Sequence, residues 1–141
     1  VGEKPDSYEV GQQWAAIGRT DDEQVVLTIG RLEQYPEGGH VIHVHCAGCV
    51  CKNPRSIDGF TREIMHLPLS LQAFEDGLGD YLGEADVPEK FEKGYDIWRN
   101  GDQINVMDAP IPAILDYVED TFCNPQSMEH IDEPPAIDGE A

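Results

Sequence analysis

Cationic side chains are scarce in this chain of 141 residues: 9 Lys and Arg stand against 28 Asp and Glu, a net charge of −19. Arg99 is the last of them, and residues 100–141 hold carboxylates without a single Lys or Arg. Nucleic-acid binders use cations to displace the counterions of phosphates, so this balance argues against a nucleic-acid partner. Anionic membrane surfaces are disfavoured by the same repulsion. Long hydrophobic runs are also missing; with no stretch of about 18 apolar residues, no membrane span is expected. The opening Val1-Gly-Glu-Lys-Pro-Asp6 lacks the apolar stretch of a secretion signal, which leaves a cytoplasmic location as the default expectation. No Gly-x-Ser-x-Gly elbow and no Gly-x-x-x-x-Gly-Lys phosphate loop occur, so serine-nucleophile and nucleotide chemistry have no anchor. Cysteine is present but unevenly spread, with three of the 4 inside six residues. Cys49 and Cys51 would sit about 7 Å apart along one strand, a poor disulfide geometry.

What the sequence does have is a hydrophobic fraction of 40%, enough for one core and one domain over residues 8–122. Residues 1–7 read as an extension. Residues 123–141, acidic and proline-containing, read as a mobile tail with too few apolar groups to order itself. Tyr8, Val10, Trp14 and Ile17 suggest a first strand with a bend at Gly11, and Asp21-Asp22 a turn. Gln24 to Leu32 is β-branched and strand-like. Pro36-Glu-Gly-Gly39 turns the chain into a third strand from His40 to Cys46, paired antiparallel with the second. A fourth strand is expected over Arg62–Leu67.

From Ser70 the period changes, with Leu71, Phe74, Leu78 and Leu82 at helical spacing behind a Ser70 cap. Asp86-Val-Pro-Glu89 predicts a capped helix that buries Phe91, Tyr95 and Trp98. Ile104–Met107 is a candidate fifth strand. Ile111, Ile114, Leu115, Val118 and Phe122 mark a last helix. The fold class is α+β: a twisted antiparallel sheet, barrel-like in one version, followed by two or three helices covering one side.

The densest chemistry lies in His40-Val-Ile-His43-Val-His45-Cys46-Ala-Gly-Cys49-Val-Cys51. On a strand His43 and His45 share a face, and a turn at Ala47-Gly48 would let Cys46 and Cys49 hold one zinc as a Cys-x-x-Cys pair. Cys51 adds a soft ligand and His66 a remote one, so the candidate set for a zinc-like ion is His43, His45, Cys46, Cys49, Cys51 and His66. A structural zinc site needs a second pair that the sequence does not supply. The competing reading makes the cysteines small buried apolar groups and the histidines satisfied sheet residues. Thioredoxin-like redox chemistry is disfavoured, because Val50-Cys-Lys-Asn-Pro54 offers no helix to activate the first thiol. No catalytic residue and no organic cofactor is singled out.

Several segments come in a familiar order: Tyr8-Glu-Val-Gly-Gln-Gln-Trp14, His43-Val44, Met65-His-Leu-Pro-Leu-Ser70, Phe91-Glu-Lys-Gly-Tyr-Asp-Ile-Trp-Arg99 and Ile111-Pro-Ala-Ile-Leu-Asp-Tyr-Val-Glu119. With them the chain resembles a group of small uncharacterised bacterial proteins that have a strand-rich first half, a helical second half and no assigned activity. The likeness covers residues 8–120 and implies a single-domain bacterial protein. His43 and His66 fall in the matching motifs, whereas Cys46-Ala-Gly-Cys49-Val-Cys51 departs from the pattern. Two functions are carried forward. The first is a non-enzymatic acidic protein that binds a basic protein partner, as a toxin-neutralising immunity protein would. The second is metal binding through the His40–Cys51 cluster.

Overall fold

A computed structural model describes residues 5, 7–34, 39–101 and 105–123. Its elements in chain order are β1 (Gln12–Ala16), β2 (Val25–Gln34), β3 (His40–Lys52), β4 (Phe60–Ser70), α1 (Leu71–Asp76), β5 (Leu78–Glu84), α2 (Glu89–Arg99) and α3 (Ile111–Cys123). The strands form one antiparallel sheet in the order β4-β3-β2-β1-β5. The fold is therefore α+β, and the sheet stays open rather than closing into a barrel. The β2–β3 hairpin pairs from Gln34↔His40 to Val26↔Ala47, as its alternation suggested. The tail from 124 to 141, most of the Pro36–Gly39 turn and Ile104 lie outside the described residues.

Several expectations need correction. The third strand does not end in a turn at Ala47-Gly48; β3 runs on to Lys52. Gly48 takes φ +83 there and lies so close to Gln24 that an added Cβ would stand 2.0 Å from the Gln24 carbonyl oxygen. The chain thus kinks within the strand, a bulge that only glycine fits. The helix expected over Leu71–Leu82 stops at Asp76, and the second half of that span is β5. Ser70 Oγ does cap it, accepting from the Ala73 N–H at 3.0 Å. Gly77, Gly79 and Gly83 break the helical run in favour of an edge strand. The fifth strand is consequently β5 rather than Ile104–Met107; Met107 makes one parallel bridge to Leu69.

Helices also cover both faces, not one. On the first face Trp14, Leu27, Ile29, Val44, Leu67 and Leu69 share a core with Phe74 of α1 and Ile111, Ile114, Leu115 and Val118 of α3. On the second, α2 lays Phe91 and Tyr95 against His43 and His66. Gly30 makes that approach possible, because a Cβ there would meet the Phe91 ring at 2.4 Å. A register shift between Ile29 and Arg31 places the end of β2 opposite His43. Helix α2 begins at Glu89 after Pro88, which makes no side-chain cap, so the expected Asp86 cap is not formed.

Arg19 ties α3 to the sheet. Its guanidinium meets Glu23, Asp116 and Glu119 at 3.0–3.1 Å and donates to the Val50 carbonyl at 2.8 Å. Glu23 and Glu119 in turn accept from the Val50 and Lys52 N–H groups. Hydrogen bonding to Glu23, more than offsetting the desolvation of the guanidinium, holds Arg19 even more firmly protonated than usual.

Candidate functional site

Strand alternation sorts the ligand-type residues before any chemistry begins. His43 and His45 point to the α2 side of β3, while Cys46 points to the α3 side. The Gly48 bulge returns Cys49 and Cys51 to the side of Cys46, and all three thiols are fully buried in the main core. The six candidate ligands are thus split between two faces and cannot surround one ion together. His45 pairs with Glu63 at 2.6 Å, and Glu63 also receives Lys90 at 3.3 Å. Among the described residues, no group of three or more His, Cys, Asp or Glu side chains is arranged to hold a metal ion.

The thiols interact with one another. Cys49 is hydrogen-bonded to both Cys46 and Cys51; the Cys46 contact and burial push its pKa up to about 12. The contact with Cys49, followed by burial, raises the pKa of Cys51 as well. The thiolate is the nucleophile and the metal ligand, so these groups are held in their unreactive form. Cys123 is exposed and rests its Sγ 3.5 Å from the Lys52 carbonyl.

The histidines form the polar centre of the second face. His43, with no exposed surface, has Nε2 2.8 Å from Glu33 Oε1 and Nδ1 2.8 Å from His66 Nε2. Glu33 Oε2 accepts from the Tyr95 hydroxyl at 2.5 Å and from Arg31 Nε at 3.1 Å. The His43 and His66 rings stack with centroids 5.0 Å apart and an interplanar angle of 18°. Tyr95 and Trp98 close on both rings edge-on or tilted, and Phe91 covers His66. Arg31 lies over the Tyr95 ring at 4.5 Å.

This geometry fixes the protons. A carboxylate beside a guanidinium accepts only, so His43 donates through Nε2–H and keeps a lone pair on Nδ1. His66 Nε2–H then donates to that lone pair, which leaves His66 Nδ1 as the terminal acceptor of the chain. Both rings are neutral at pH 7. Desolvation pulls the His43 pKa below its ordinary value despite Glu33, and desolvation together with His43 pulls His66 down to about 4. Burial, then the bond to Glu33, raises the Tyr95 pKa and keeps its hydroxyl a donor.

Sequence reasoning brought His43 and His66 together but missed Glu33 and Tyr95 around them and Glu63 as the partner of His45. The hairpin register held a signal for Glu33, since the end of β2 must lie opposite the start of β3. The one-residue shift near Gly30 was needed to place it. No described helix is long and apolar enough to cross a membrane.

A cleft of about 680 Å³ opens beside the end of the hairpin, lined by Leu32, Glu33, His40, Ile42, Leu71 and Glu75 among others. In comparisons with known proteins, the chain matches no family model, no curated protein and no solved structure.

Proposed function

We propose that this protein acts by binding a basic protein partner through its acidic surface, without catalysing a reaction. The charge distribution carries this reading. Arg19, Arg31, Arg62 and Lys90 are each engaged by carboxylates of the chain itself. Meanwhile Glu75, Asp76, Asp80, Glu84, Asp86 and Glu89 lie exposed along α1, β5 and the start of α2, with no Lys or Arg between Arg62 and Lys90. Such a field raises encounter rates with a cationic partner and repels anionic ones. Neutralisation of a basic toxin, as by an immunity protein, is one form this role takes.

Immobilised protein challenged with lysate of its source organism at about 50 mM salt should retain a basic protein and release it at about 500 mM, where the Debye length shrinks several-fold. Failure to retain any basic protein at low salt refutes the reading.

A second reading rests on one specific contact. His43 Nδ1 and His66 Nε2 face each other at 2.8 Å, and Glu33 holds His43 as a carboxylate orients a metal-bound histidine. In that reading His66 moves its proton to Nδ1 and the two facing nitrogens spread to admit a zinc-like ion, with water or a partner's groups completing the shell. Zinc titration followed by the ring resonances of both histidines tests it. Coincident, stoichiometric shifts support the ion, and unaltered rings at excess zinc dismiss it.

A further inference from the structure

The cleft beside α1 offers features that the surface charge alone does not. Its floor is Ile42, which is buried, flanked by the half-exposed Leu71 and by Leu32. Its mouth carries Glu75, whose Oε2 accepts from the Tyr8 hydroxyl at 3.0 Å. The Tyr8 ring is in turn set edge-on against Trp14 and Phe74, with centroids at 5.8 and 5.1 Å. Desolvation and the Glu75 bond push the Tyr8 pKa up to about 12, so the phenol stays a donor and keeps the carboxylate in place. No Lys or Arg occurs among the described lining residues, and the exposed acids of α1 and β5 continue from Glu75. The lining is mixed, with Leu32, Ile42 and Leu71 for an aliphatic stem and the carboxylates Glu33 and Glu75 beside the Tyr8 ring for a cation.

We propose that this cleft seats one lysine or arginine side chain of the basic partner, with its stem along Leu32, Ile42 and Leu71 and its charged end at Glu75. The inference rests on the reading of the protein as a binder of a basic partner and locates where that partner docks. The volume suits a single long side chain with neighbouring backbone, within the range of small-ligand sites of roughly 300–1,000 Å³. Glu33, which holds His43 on the second face, also lines this cleft, so the two regions share that carboxylate.

The test uses n-butylguanidinium as a stand-in for the arginine side chain, n-butanol as its neutral isostere, and a lysine- and arginine-rich peptide as a probe of the whole surface. Amide shifts are followed in the full chain, in Glu75→Gln and in Asp80→Asn. Gln preserves an acceptor for Tyr8, and Asp80 supplies a charge-matched control on β5. Expected are saturating n-butylguanidinium shifts at Tyr8, Leu32, Ile42 and Leu71, weakened about three- to fivefold in Glu75→Gln, the scale of one surface ion pair. Asp80→Asn should leave them unchanged, and n-butanol should bind weakly or not at all. Shifts that spread over all acidic segments, fail to saturate, or respond equally to both variants overturn the cleft. If the peptide still binds at low salt in that case, only the location is wrong. If the peptide also fails to bind, the basic-partner reading falls with it.

Discussion

Acidification should loosen this protein through His66, and the size of the effect follows from the second face of the sheet. In the unfolded chain His66 titrates near the ordinary histidine value of about 6.5; packed against His43 and Phe91 it is held down to about 4. Between those values the unfolded state binds more protons than the native state, so stability falls as pH drops through this window and is fully present above it. At about 1.4 kcal/mol per pH unit the loss has a ceiling of about 3.4 kcal/mol. Partial exposure of the ring reduces this to about 1.5–2 kcal/mol. The depressed His43 pKa acts in the same direction. Carboxylates held low by their partners, such as Glu23 and Glu63, also cost stability in acid, so a wild-type profile alone cannot isolate the histidine. The informative comparison is with His66→Gln, whose amide N–H can still donate to His43 Nδ1 but cannot titrate. Urea unfolding from pH 7 to 4.5, followed by tryptophan fluorescence, should show the gap between the two proteins shift in favour of the variant by about 1.5 kcal/mol as pH falls. Parallel profiles would refute the account of a neutral, desolvated dyad.

Other expectations concern the first face. A thiol reagent should titrate Cys123 at once in native protein and Cys46, Cys49 and Cys51 only on unfolding, because the latter three are buried and mutually hydrogen-bonded; four fast thiols would contradict their placement. Gly48→Ala should cost about 2–4 kcal/mol in urea unfolding, since the position combines φ +83 with a 2.0 Å clash on the Gln24 carbonyl. Arg19→Met should cost about 3 kcal/mol by leaving the buried Glu23 carboxylate without its cation, and an unchanged unfolding midpoint would show that the clamp is dispensable.

How much of this was legible in the sequence depended on whether a feature is local. The β2–β3 hairpin and α3 declared themselves by alternation and by a five-residue apolar stripe, patterns that burial of one face imposes directly. The Leu71–Leu82 span carried a helical period that glycines interrupted; whether such a run stays helical is decided by pairing with β1, far away in sequence. The histidine–cysteine cluster was conspicuous, but its division between two faces turned on bulges. Alternation separates His45 from Cys46, while the kink at Gly48 gathers Cys46, Cys49 and Cys51 on one side. Glu33 and Tyr95 were invisible as partners of His43, because a strand shift near Gly30 and the docking of α2 bring them there. His66 carried a signal only in its company with His43.

If surface charge guides recognition of a basic partner, the association rate with the captured partner depends steeply on salt. It should fall at least tenfold between about 20 and about 300 mM salt, toward the unsteered range of about 10⁵–10⁶ M⁻¹s⁻¹, while the dissociation rate changes much less. An association rate that stays flat across this range would show that the acidic surface does not guide binding.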